Sequence, residues 1–469
     1  MPAPLTHPTD APLTFRGNTA GALAPFVVFL GGVTLLALQG APDETGFWPV
    51  LLAALVVGLA LARDRARYCE AMLDGMSQRV VMLMLCAWLF SGVLGAVIGS
   101  SGFVTALAWL ARRLHLTGGA YAVAAFAICA LVSTATGTSF GTILLAGPLL
   151  YPAGGPAGAD PAILMGAILG GATFGDSISP VSDTTIASSG SQDADIGGTV
   201  RSRLQYVVPA GLLALLVTGL SGGAVIPPAA LDPSVSAMAV EPRALLMALP
   251  PVVVIVMLLR ARHLIEALLA GLALACALAL AFRLITPSTL LHIDATSFGA
   301  KGVLIDGMQR AVGVCIFTLL LVALVGTLQA TDLLDRLVRA ASRRAHSARA
   351  AEWWTVGVVS AAVLLTTHSV VAILAVGPFA RQAGERFGLS RYRRANLLDL
   401  TVCTWPFLLP WFLPTILASS ATAGGDALGM PLQSPLSVGL HNYYAMALVL
   451  AVSIAVVTGY GRRFEGLAD

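Results

Sequence analysis

Long apolar runs alternate with short polar segments along almost the whole chain. An α-helix rises 1.5 Å per residue, so about 20 apolar residues cross the hydrocarbon core of a bilayer. The pattern therefore predicts an all-α polytopic membrane protein. Its spans are expected at 20–39, 47–62, 80–100, 205–226, 243–259, 264–283, 311–329 and 440–460.

Other apolar regions are interrupted by Gly, Pro, Ser and Thr. The segment 119–152 contains STATGTSFGT, and 353–380 contains LLTTHSVV. Likewise, 162–190 contains GDSISPVSDTT, and 398–421 contains WPFLLPWFLPT. Such residues at membrane depth expose backbone groups, which must be satisfied inside the protein or by a ligand. We interpret the first pair as re-entrant hairpins and the second pair as discontinuous helices.

Two short matches at nearly the same offset indicate an internal repeat. LDGM at 73–76 recurs as IDGM at 305–308, and TILLAGPLL at 142–150 recurs as AILAVGPFA at 372–380. Two ordered matches at nearly one offset, 232 and 230 residues, favour duplication over chance. The predicted organisation is a disordered polar tail (1–19), a first repeat (20–226), an external linker (227–242), a second repeat (243–460) and a cytoplasmic tail (461–469).

The distribution of basic residues predicts the direction of the repeats. If each half has five crossings plus a hairpin, the odd number inverts the second half. With both termini cytoplasmic, 21 of the 27 Lys and Arg residues then lie inside, as the positive-inside rule requires. Inverted repeats with broken helices near the midplane are the usual plan of a secondary transporter. The main inside segments are 63–67, 201–203, 260–262, 336–349, 381–394 and 462–463.

Composition agrees with a membrane protein. Hydrophobic residues make up 57% of the chain and charged residues only 11%, with a mean hydropathy of +0.85. A soluble chain of 469 residues would need a more strongly charged surface. The six cysteines form no CxxC motif, so neither disulfides nor zinc are expected. The start of the chain lacks a charged region leading into an apolar core, so no signal peptide is expected.

The strongest candidate for chemistry is the polar stretch 175–185 within an apolar region. Asp176 and Asp183 flank Pro180, which breaks a helix. Burial disfavours a charged carboxylate unless a cation or proton joins it, so Na⁺ and H⁺ can compete for one site. The alternative interpretation of 175–185 is a solvated loop in which the Asp and Ser side chains cap helices. Such a loop would have further charged residues nearby, but the sequence between Asp160 and Asp176 is apolar. The predicted Na⁺ and proton ligands are Asp176, Asp183, Ser179, Ser182, Thr184 and Thr185.

The tips of the two hairpins are the next candidates, because small hydroxyl residues there let the backbone approach a ligand. His368 is the most notable single residue. It either relays protons, holds an anion, or is a core histidine bonded to a carbonyl; inverted symmetry would bring it near the two aspartates. The candidate substrate residues are Thr136, Gly137, Thr138, Ser139, Thr366, Thr367, His368, Ser369 and Trp411.

Other features are expected to be structural. Asp399 is expected to pair with Arg393 or Arg394, which precede it in the sequence. The segments carrying the repeated DGM element, 68–79 and 301–310, are interpreted as interfacial amphipathic helices.

The stretch GATFGDSISPVSDTTIASS resembles the signature of NhaC-type Na⁺/H⁺ antiporters of the ion-transporter superfamily. The upstream segment Ala135–Ser139 is similar to a second motif of that family. The resemblance implies an elevator-type fold, a homodimer and a bacterial inner-membrane location. Ser177, Ile186 and Phe412 depart from residues common among relatives, so the resemblance leaves the substrate open.

The function predicted from the sequence is exchange of Na⁺ for H⁺ by alternating access. The alternative is Na⁺-coupled transport of a small organic acid or amino acid. Among basic residues only His368 lies deep in the broken segments, which favours a cation substrate. An intramembrane protease would need HExxH, or GxSxG with a partnered His, and neither arrangement is expected. We expect no enzyme activity, no organic cofactor and no nucleic-acid partner; the partners are Na⁺, H⁺ and the bilayer.

Overall fold

The computed structural model describes residues 12–38, 44–114, 116, 118–180, 182–223, 241–260, 262–294, 299–423, 425 and 428–465. Regular structure in these ranges is almost entirely helical. The exception is a short antiparallel ladder between His292–Asp294 (β1) and Gly299–Lys301 (β2). The all-α prediction therefore holds apart from this ladder.

The helices of the two halves follow one another with short connections. The first half contains α1 (Asn18–Leu38), α2 (Trp48–Leu61), α3 (Arg65–Met76), α4 (Arg79–Ser100), α5 (Phe103–Arg113), α6 (Gly119–Thr136), α7 (Ser139–Ala153), α8 (Pro161–Ile178), α9 (Asp183–Ser191) and α10 (Ile196–Ser221). The second half contains α11 (Leu249–Leu259), α12 (Leu264–Ala281), α13 (Pro287–Leu290), α14 (Val303–Gln329), α15 (Leu333–Ser342), α16 (Ala348–Thr366), α17 (Ser369–Arg386), α18 (Arg391–Val402), α19 (Leu413–Ser420), α20 (Pro435–Leu440) and α21 (Tyr443–Thr458). Short 3₁₀ helices cover Glu44–Phe47, Pro242–Ala248 and Trp405–Phe407.

Several of these helices have the length and apolar composition of membrane spans. In the described part of the chain, six segments are long and apolar enough to cross a bilayer. The protein is therefore a multi-pass membrane protein, as its hydropathy pattern predicts. The six segments are 18–36, 161–191, 196–221, 264–281, 303–329 and 348–366.

The predicted tails are partly ordered. Leu13 and Phe15 are buried, and the Leu13 amide donates to the Ala330 carbonyl at 2.7 Å. The Phe15 ring packs edge-to-face on Tyr68, with 6.2 Å between centroids. The prediction that residues 1–19 are disordered is thus wrong for residues 12–19, because two of their apolar side chains are buried. Residues 1–11, most of the linker 227–242 and residues 466–469 of the C-terminal tail lie outside the described residues.

The two segments with the DGM element are not equivalent interfacial helices. The first falls largely in the separate helix α3, whereas 303–310 forms the first turns of the long α14. The two segments do share a close-packed glycine, which lets helices approach closely. A Cβ at Gly307 would lie 2.6 Å from Val93 Cα on α4, and one at Gly75 would lie 2.3 Å from the Val322 carbonyl oxygen on α14. Both glycines thus lie at helix–helix contacts.

The helices pack as two bundles that touch along one side. In the first bundle α14 packs on α2, α3 and α4, while α12 packs on α4 and α11. In the second bundle α8 packs on α6, α7, α10 and α21, and α18 packs on α9, α10, α16 and α17. The bundles meet where α7 contacts α4 and where α19 contacts α14. All the broken segments belong to the second bundle.

The first helical hairpin, α6–α7, begins and ends at one edge of its bundle. The Gly118 amide, just before α6, donates to the Ala157 carbonyl after α7 at 2.8 Å. The Asp160 amide donates to the Gly222 carbonyl at 3.0 Å, which joins the start of α8 to the end of α10. The entrance and exit of the hairpin, the start of α8 and the end of α10 therefore lie together.

The second hairpin, α16–α17, begins and ends at the opposite edge. Ser342, before α16, and Arg386, at the end of α17, line one cleft. The Arg391 side chain donates to the Asp193 carbonyl at 3.4 Å, which places the start of α18 beside the end of α9. The pair α8–α9 and the pair α18–α19 consequently run antiparallel.

Helix boundaries carry the same spacing as the sequence repeat. Ser139 and Ser369 each open the second helix of a hairpin, 230 residues apart. Pro161 and Arg391 begin α8 and α18 with the same separation. The correspondence thus extends from short sequence matches to the positions where helices start.

Candidate functional site

The aspartate motif lies where a helix is interrupted. α8 ends at Ile178 and α9 begins at Asp183. Pro180 lies in the gap, where it has no amide hydrogen to continue the helical bonding pattern. The gap puts Asp176 in the last turn of α8 and Asp183 in the first turn of α9. The sequence prediction of a break between the two carboxylates is thus met by the structure.

Asp176 is buried, with 6% of its surface exposed. Its Oδ2 accepts a hydrogen bond from Ser139 Oγ at 3.0 Å, which ties the first hairpin tip to the break. Its Oδ1 is also buried and has no hydrogen-bond partner in the part of the chain that the structure describes. A buried carboxylate oxygen without a partner is costly, so this atom is suited to a proton or a cation.

Asp183 has a different environment, because its side chain is exposed. It begins α9, where the helix dipole favours negative charge. The preceding Ser182 is buried, and its Oγ lies 3.0 Å from Thr184 Oγ1. The two carboxylates thus combine one accessible group with one enclosed group, an asymmetry that their similar sequence contexts do not predict.

The remaining predicted ligand hydroxyls have defined partners. Ser179 Oγ donates to the Thr134 carbonyl near the end of α6 at 2.8 Å. Thr185 Oγ1 accepts from a buried arginine, Arg203, at 2.8 Å. The break is therefore bounded by the first hairpin on one side and by α10 on the other.

The first hairpin tip turns at Gly137, whose φ of +68° ends α6 in the left-handed region that favours glycine. Thr138 then caps α7, and its Oγ1 accepts the Gly141 amide at 3.3 Å. The Thr136 hydroxyl donates back to the Val132 carbonyl within its own helix at 3.0 Å. Among the predicted tip residues, Ser139 is thus the one bonded to an aspartate.

The sequence interpretation that no GxSxG motif is present is wrong, because the same tip has this spacing of a serine-hydrolase elbow, from Gly137 to Gly141. In such enzymes the serine hydroxyl pairs with a histidine base. Here Ser139 Oγ donates to the Asp176 carboxylate instead. This geometry disfavours nucleophilic catalysis by Ser139.

The second hairpin tip has a similar backbone turn to the first, but its side chains make different hydrogen bonds. Thr367 has φ +51° at the position of Gly137, and Ser369 Oγ donates to the Val402 carbonyl at 3.5 Å. His368 Nδ1 and Trp411 Nε1 are buried without a partner among the described residues. No described hydrogen bond or ion pair joins His368 to Asp176 or Asp183. Proximity between them stays a prediction.

Arg203 is the residue that sequence reasoning missed. It was assigned to a cytoplasmic basic segment, yet its side chain is fully buried in α10. Nη1 donates to the Ser177 carbonyl at 2.9 Å, and Nε donates to Asn396 Oδ1 at 3.0 Å. The only sequence signal was its place inside a helix that runs on into an apolar span. An arginine therefore does lie deep beside the break, contrary to the sequence interpretation.

Asp399 pairs with Arg203, so its predicted pairing with Arg393 or Arg394 is wrong. Arg393 Nε instead contacts the buried Glu352 at 2.8 Å. On α18, Asp399 lies about one and a half turns beyond Arg393 and Arg394. Tertiary packing, not proximity in sequence, selected the partners.

The charges around the break do not cancel. The carboxylates of Asp176, Asp183 and Asp399 lie close enough to influence each other electrostatically. Arg203 compensates Asp399 through their ion pair. Asp176 and Asp183 have no ion-pair partner among the described residues. Carboxylate, hydroxyl and backbone oxygens at a broken helix are the ligands that a dehydrated Na⁺ uses in transporters.

Comparison with known proteins points to the same class. Residues 14–221 match the model of the Na⁺/H⁺ antiporter family. The Na⁺/H⁺ antiporter NhaC of Alkalihalophilus pseudofirmus is 33% identical over 171 residues, which cover 35% of this chain and 36% of that protein. The malate-2H⁺/Na⁺-lactate antiporter of Bacillus subtilis is 27% identical over 208 residues, 43% of each chain.

A third relative is the arginine/ornithine antiporter ArcD of Halobacterium salinarum, 25% identical over 219 residues, 44% of this chain and 42% of that protein. These matches each span less than half of the relative. The matched family region contains the first hairpin, the aspartate motif and Arg203. Over residues 14–221, the chain is therefore similar to the Na⁺/H⁺ antiporter family, and its NhaC-named relatives agree with the resemblance that the motif around Asp176 indicated.

Proposed function

We propose that this protein is a secondary active transporter that exchanges Na⁺ for H⁺ across the bacterial inner membrane by alternating access. The observation that carries the proposal is Asp176, a buried carboxylate at a broken helix with one oxygen bonded to Ser139 and the other without a described partner. Such a group needs either a proton or a cation for its charge, so the two ions exclude each other.

The two aspartates have different proposed roles. Asp183, which is exposed at the first turn of α9, meets the arriving ion. Asp176 then provides the enclosed ligand, with hydroxyl and carbonyl oxygens of the break completing the shell. The buried hydroxyls of Ser182 and Thr184 lie nearest to Asp183 in sequence and are the proposed neutral ligands. Protonation of Asp176 releases the cation, and deprotonation restores the site.

The architecture offers a route for alternating access. The antiparallel broken helices, the hairpins that enter from opposite edges and the shared spacing of helix starts support two inverted repeats. The proposed scaffold is the bundle around α14, and the proposed moving part is the bundle with all the breaks, as in an elevator. Cytoplasmic termini follow from the basic segments. The homodimer is proposed from the family resemblance.

The test is transport by the purified protein in proteoliposomes with an internal pH dye. An outward Na⁺ gradient should drive proton flux in the wild type, whereas Asp176→Asn and Asp183→Asn should each reduce it by about a hundredfold or more, because neither variant can carry the titratable charge. Asp306→Asn, at an exposed acid on α14, is the matched control and should retain wild-type flux. Full transport by both site variants would refute the proposal.

A second candidate function is Na⁺-coupled exchange of a small organic acid or amino acid. One relative is named a malate-2H⁺/Na⁺-lactate antiporter, and another is named an arginine/ornithine antiporter. The specific observation in its favour is the pair of buried nitrogens, His368 Nδ1 and Trp411 Nε1, in the second half. Addition of candidate acids and amino acids to the same liposomes distinguishes the functions, because a simple Na⁺/H⁺ exchanger does not respond to them.

A further inference from the structure

Arg203 connects three helices around the aspartate break. Its guanidinium donates to the Ser177 carbonyl at the end of α8 and to Thr185 Oγ1 in the first turn of α9. The same side chain thus contacts both sides of the four-residue gap from 179 to 182. No other arginine or lysine in the described ranges donates a hydrogen bond to both α8 and α9.

The guanidinium is held in turn by α18, from the other half of the chain. Nε donates to Asn396 Oδ1 at 3.0 Å, and Nη2 forms an ion pair with Asp399 Oδ2. Asp399 Oδ2 also accepts from Ser188 Oγ of α9 at 3.0 Å. Both charged side chains are buried, at 0% and 1% exposure. The pair therefore links the two proposed repeats directly behind the site.

Arg203 makes three hydrogen bonds and one ion pair. A planar guanidinium has five N–H donors in a fixed fork. Here Nη1 and Nε donate to a main-chain carbonyl, a hydroxyl and an amide oxygen, and Nη2 faces the Asp399 carboxylate. A guanidinium committed in this way is a poor receptor for an organic anion. It is well suited to fix the angle between two helix halves whose own hydrogen bonding stops at the break.

We propose that Arg203, anchored by Asp399, is a positioning residue that holds the ends of α8 and α9 in register and thereby sets the geometry of the Asp176–Asp183 cation site. The proposal deepens the proposed function and rests on it for the identity of the ion. It also assigns a role to α18 of the second half: the site in the first half depends on a carboxylate from the other repeat.

The test needs a variant that keeps charge balanced. Arg203→Gln alone leaves Asp399 buried without its partner, a strongly destabilising change. The double variant Arg203→Gln/Asp399→Asn removes both charges together, and Arg203→Lys retains the charge but cannot make the forked contacts. The control is Arg262→Gln/Glu266→Gln, which neutralises an exposed pair 3.8 Å apart on the other bundle.

Two measurements are made on each variant that has wild-type expression. The first is the Na⁺ concentration for half-maximal proton flux, together with the pH profile. The second is hydrogen–deuterium exchange of peptides covering 176–186, which reports the break without reference to transport. We expect the double variant and Arg203→Lys to raise the half-saturating Na⁺ concentration by about tenfold or more and to speed exchange locally, because a small displacement of ligands has a large effect on a site.

The outcomes separate the two proposals. Wild-type half-saturation, pH profile and exchange in Arg203→Lys, or in a folded double variant, would overturn the positioning role. Reduced thermal stability with unchanged Na⁺ dependence would likewise overturn it, because that is the result of a purely structural ion pair. If wild-type protein shows no Na⁺-driven proton flux but the variants show faster local exchange at 176–186, the proposed function fails while the positioning role stands.

Discussion

The two interrupted helices of this chain begin at equivalent positions and differ in what fills their breaks. Between α8 and α9 the gap is short and polar, and a carboxylate lies on each side of it. Between α18 and α19 the gap covers 403–412 and holds Trp405, Pro406 and Trp411. The indole of Trp405 donates to Ser360 Oγ at 2.9 Å, so part of this aromatic segment is packed against α16.

The hairpin tips show the same contrast. Ser139 donates to the Asp176 carboxylate, whereas the equivalent Ser369 reaches only the Val402 carbonyl. Both tips turn through a residue with positive φ, but the first uses Gly137 and the second uses Thr367. One backbone plan therefore carries two sets of side chains: a break flanked by carboxylates in the first half and an aromatic break in the second.

The comparison predicts that the hairpins are accessible from opposite faces of the membrane. On a background without native cysteines, Ser342→Cys and Arg386→Cys should react with an impermeant thiol reagent from one face, and Leu114→Cys, before the first hairpin, from the other. The expected difference is all-or-none, because the reagent cannot cross the bilayer. Labelling of Ser342→Cys and Arg386→Cys from different faces would contradict both the hairpin and the inversion.

Equivalent serines should have unequal effects on Na⁺. Ser139→Ala removes a hydrogen bond to a buried carboxylate, which is worth about 1.5–3 kcal/mol, so half-saturating Na⁺ should change about tenfold to a hundredfold. Ser369→Ala removes a long contact to a neutral carbonyl and should change it by about twofold or less. Sodium-dependent proton flux in liposomes measures both. Equal effects would mean that the two tips have the same role.

The turn residues should respond with opposite signs when they are exchanged. Gly137→Thr forces a branched residue into the left-handed region and should destabilise the protein by about 1–2 kcal/mol. Thr367→Gly relieves that strain and should be neutral or slightly stabilising, by about 1 kcal/mol at most. Thermal unfolding in detergent compares them. A loss of stability in Thr367→Gly would show that the threonine side chain makes a contact worth more than the strain.

The substitution His368→Gln tests whether the second hairpin tip contributes to Na⁺ binding as the first is proposed to do. Because His368 has no described contact with either aspartate, half-saturating Na⁺ should shift by about twofold or less, well below the effect at Ser139. Calorimetric Na⁺ titration at several pH values, with and without candidate organic acids, gives the measurement. A large change in Na⁺ affinity would place His368 in the cation site, and selective loss of an organic ligand would favour the second candidate function.

The smallest effect is expected at the surface, where the halves meet outside the membrane segments. Tyr392 hydrogen-bonds to Asp195, and this bond, together with the Gly198 amide, lowers the pKa of the Asp195 carboxyl. A carboxyl with a lowered pKa stabilises the fold above its usual pKa and loses that contribution as pH falls through the lowered value. Tyr392→Phe should therefore reduce thermal stability slightly at pH 7 and less at pH 4. A pH-independent difference would exclude this linkage.

Much of the fold followed from patterns that act locally. Apolar runs of membrane length predicted the spans, and Pro180 with its polar neighbours predicted the break, because proline interrupts helical bonding regardless of context. The tail at 12–19 was misjudged, since the burial of Leu13 and Phe15 depends on α2, α3 and the end of α14 meeting there.

The sequence by itself determined the membrane class and the position of the aspartate motif, because both depend on residues that are contiguous in the chain. Tertiary structure decided which charges meet. Arg203 and Asp399 are far apart in the chain and pair only when α10 packs on α18. In the assembled structure Asp176 is buried and Asp183 is exposed. Electrostatic interactions depend on distance in space and on burial, and neither quantity is defined until the helices have assembled.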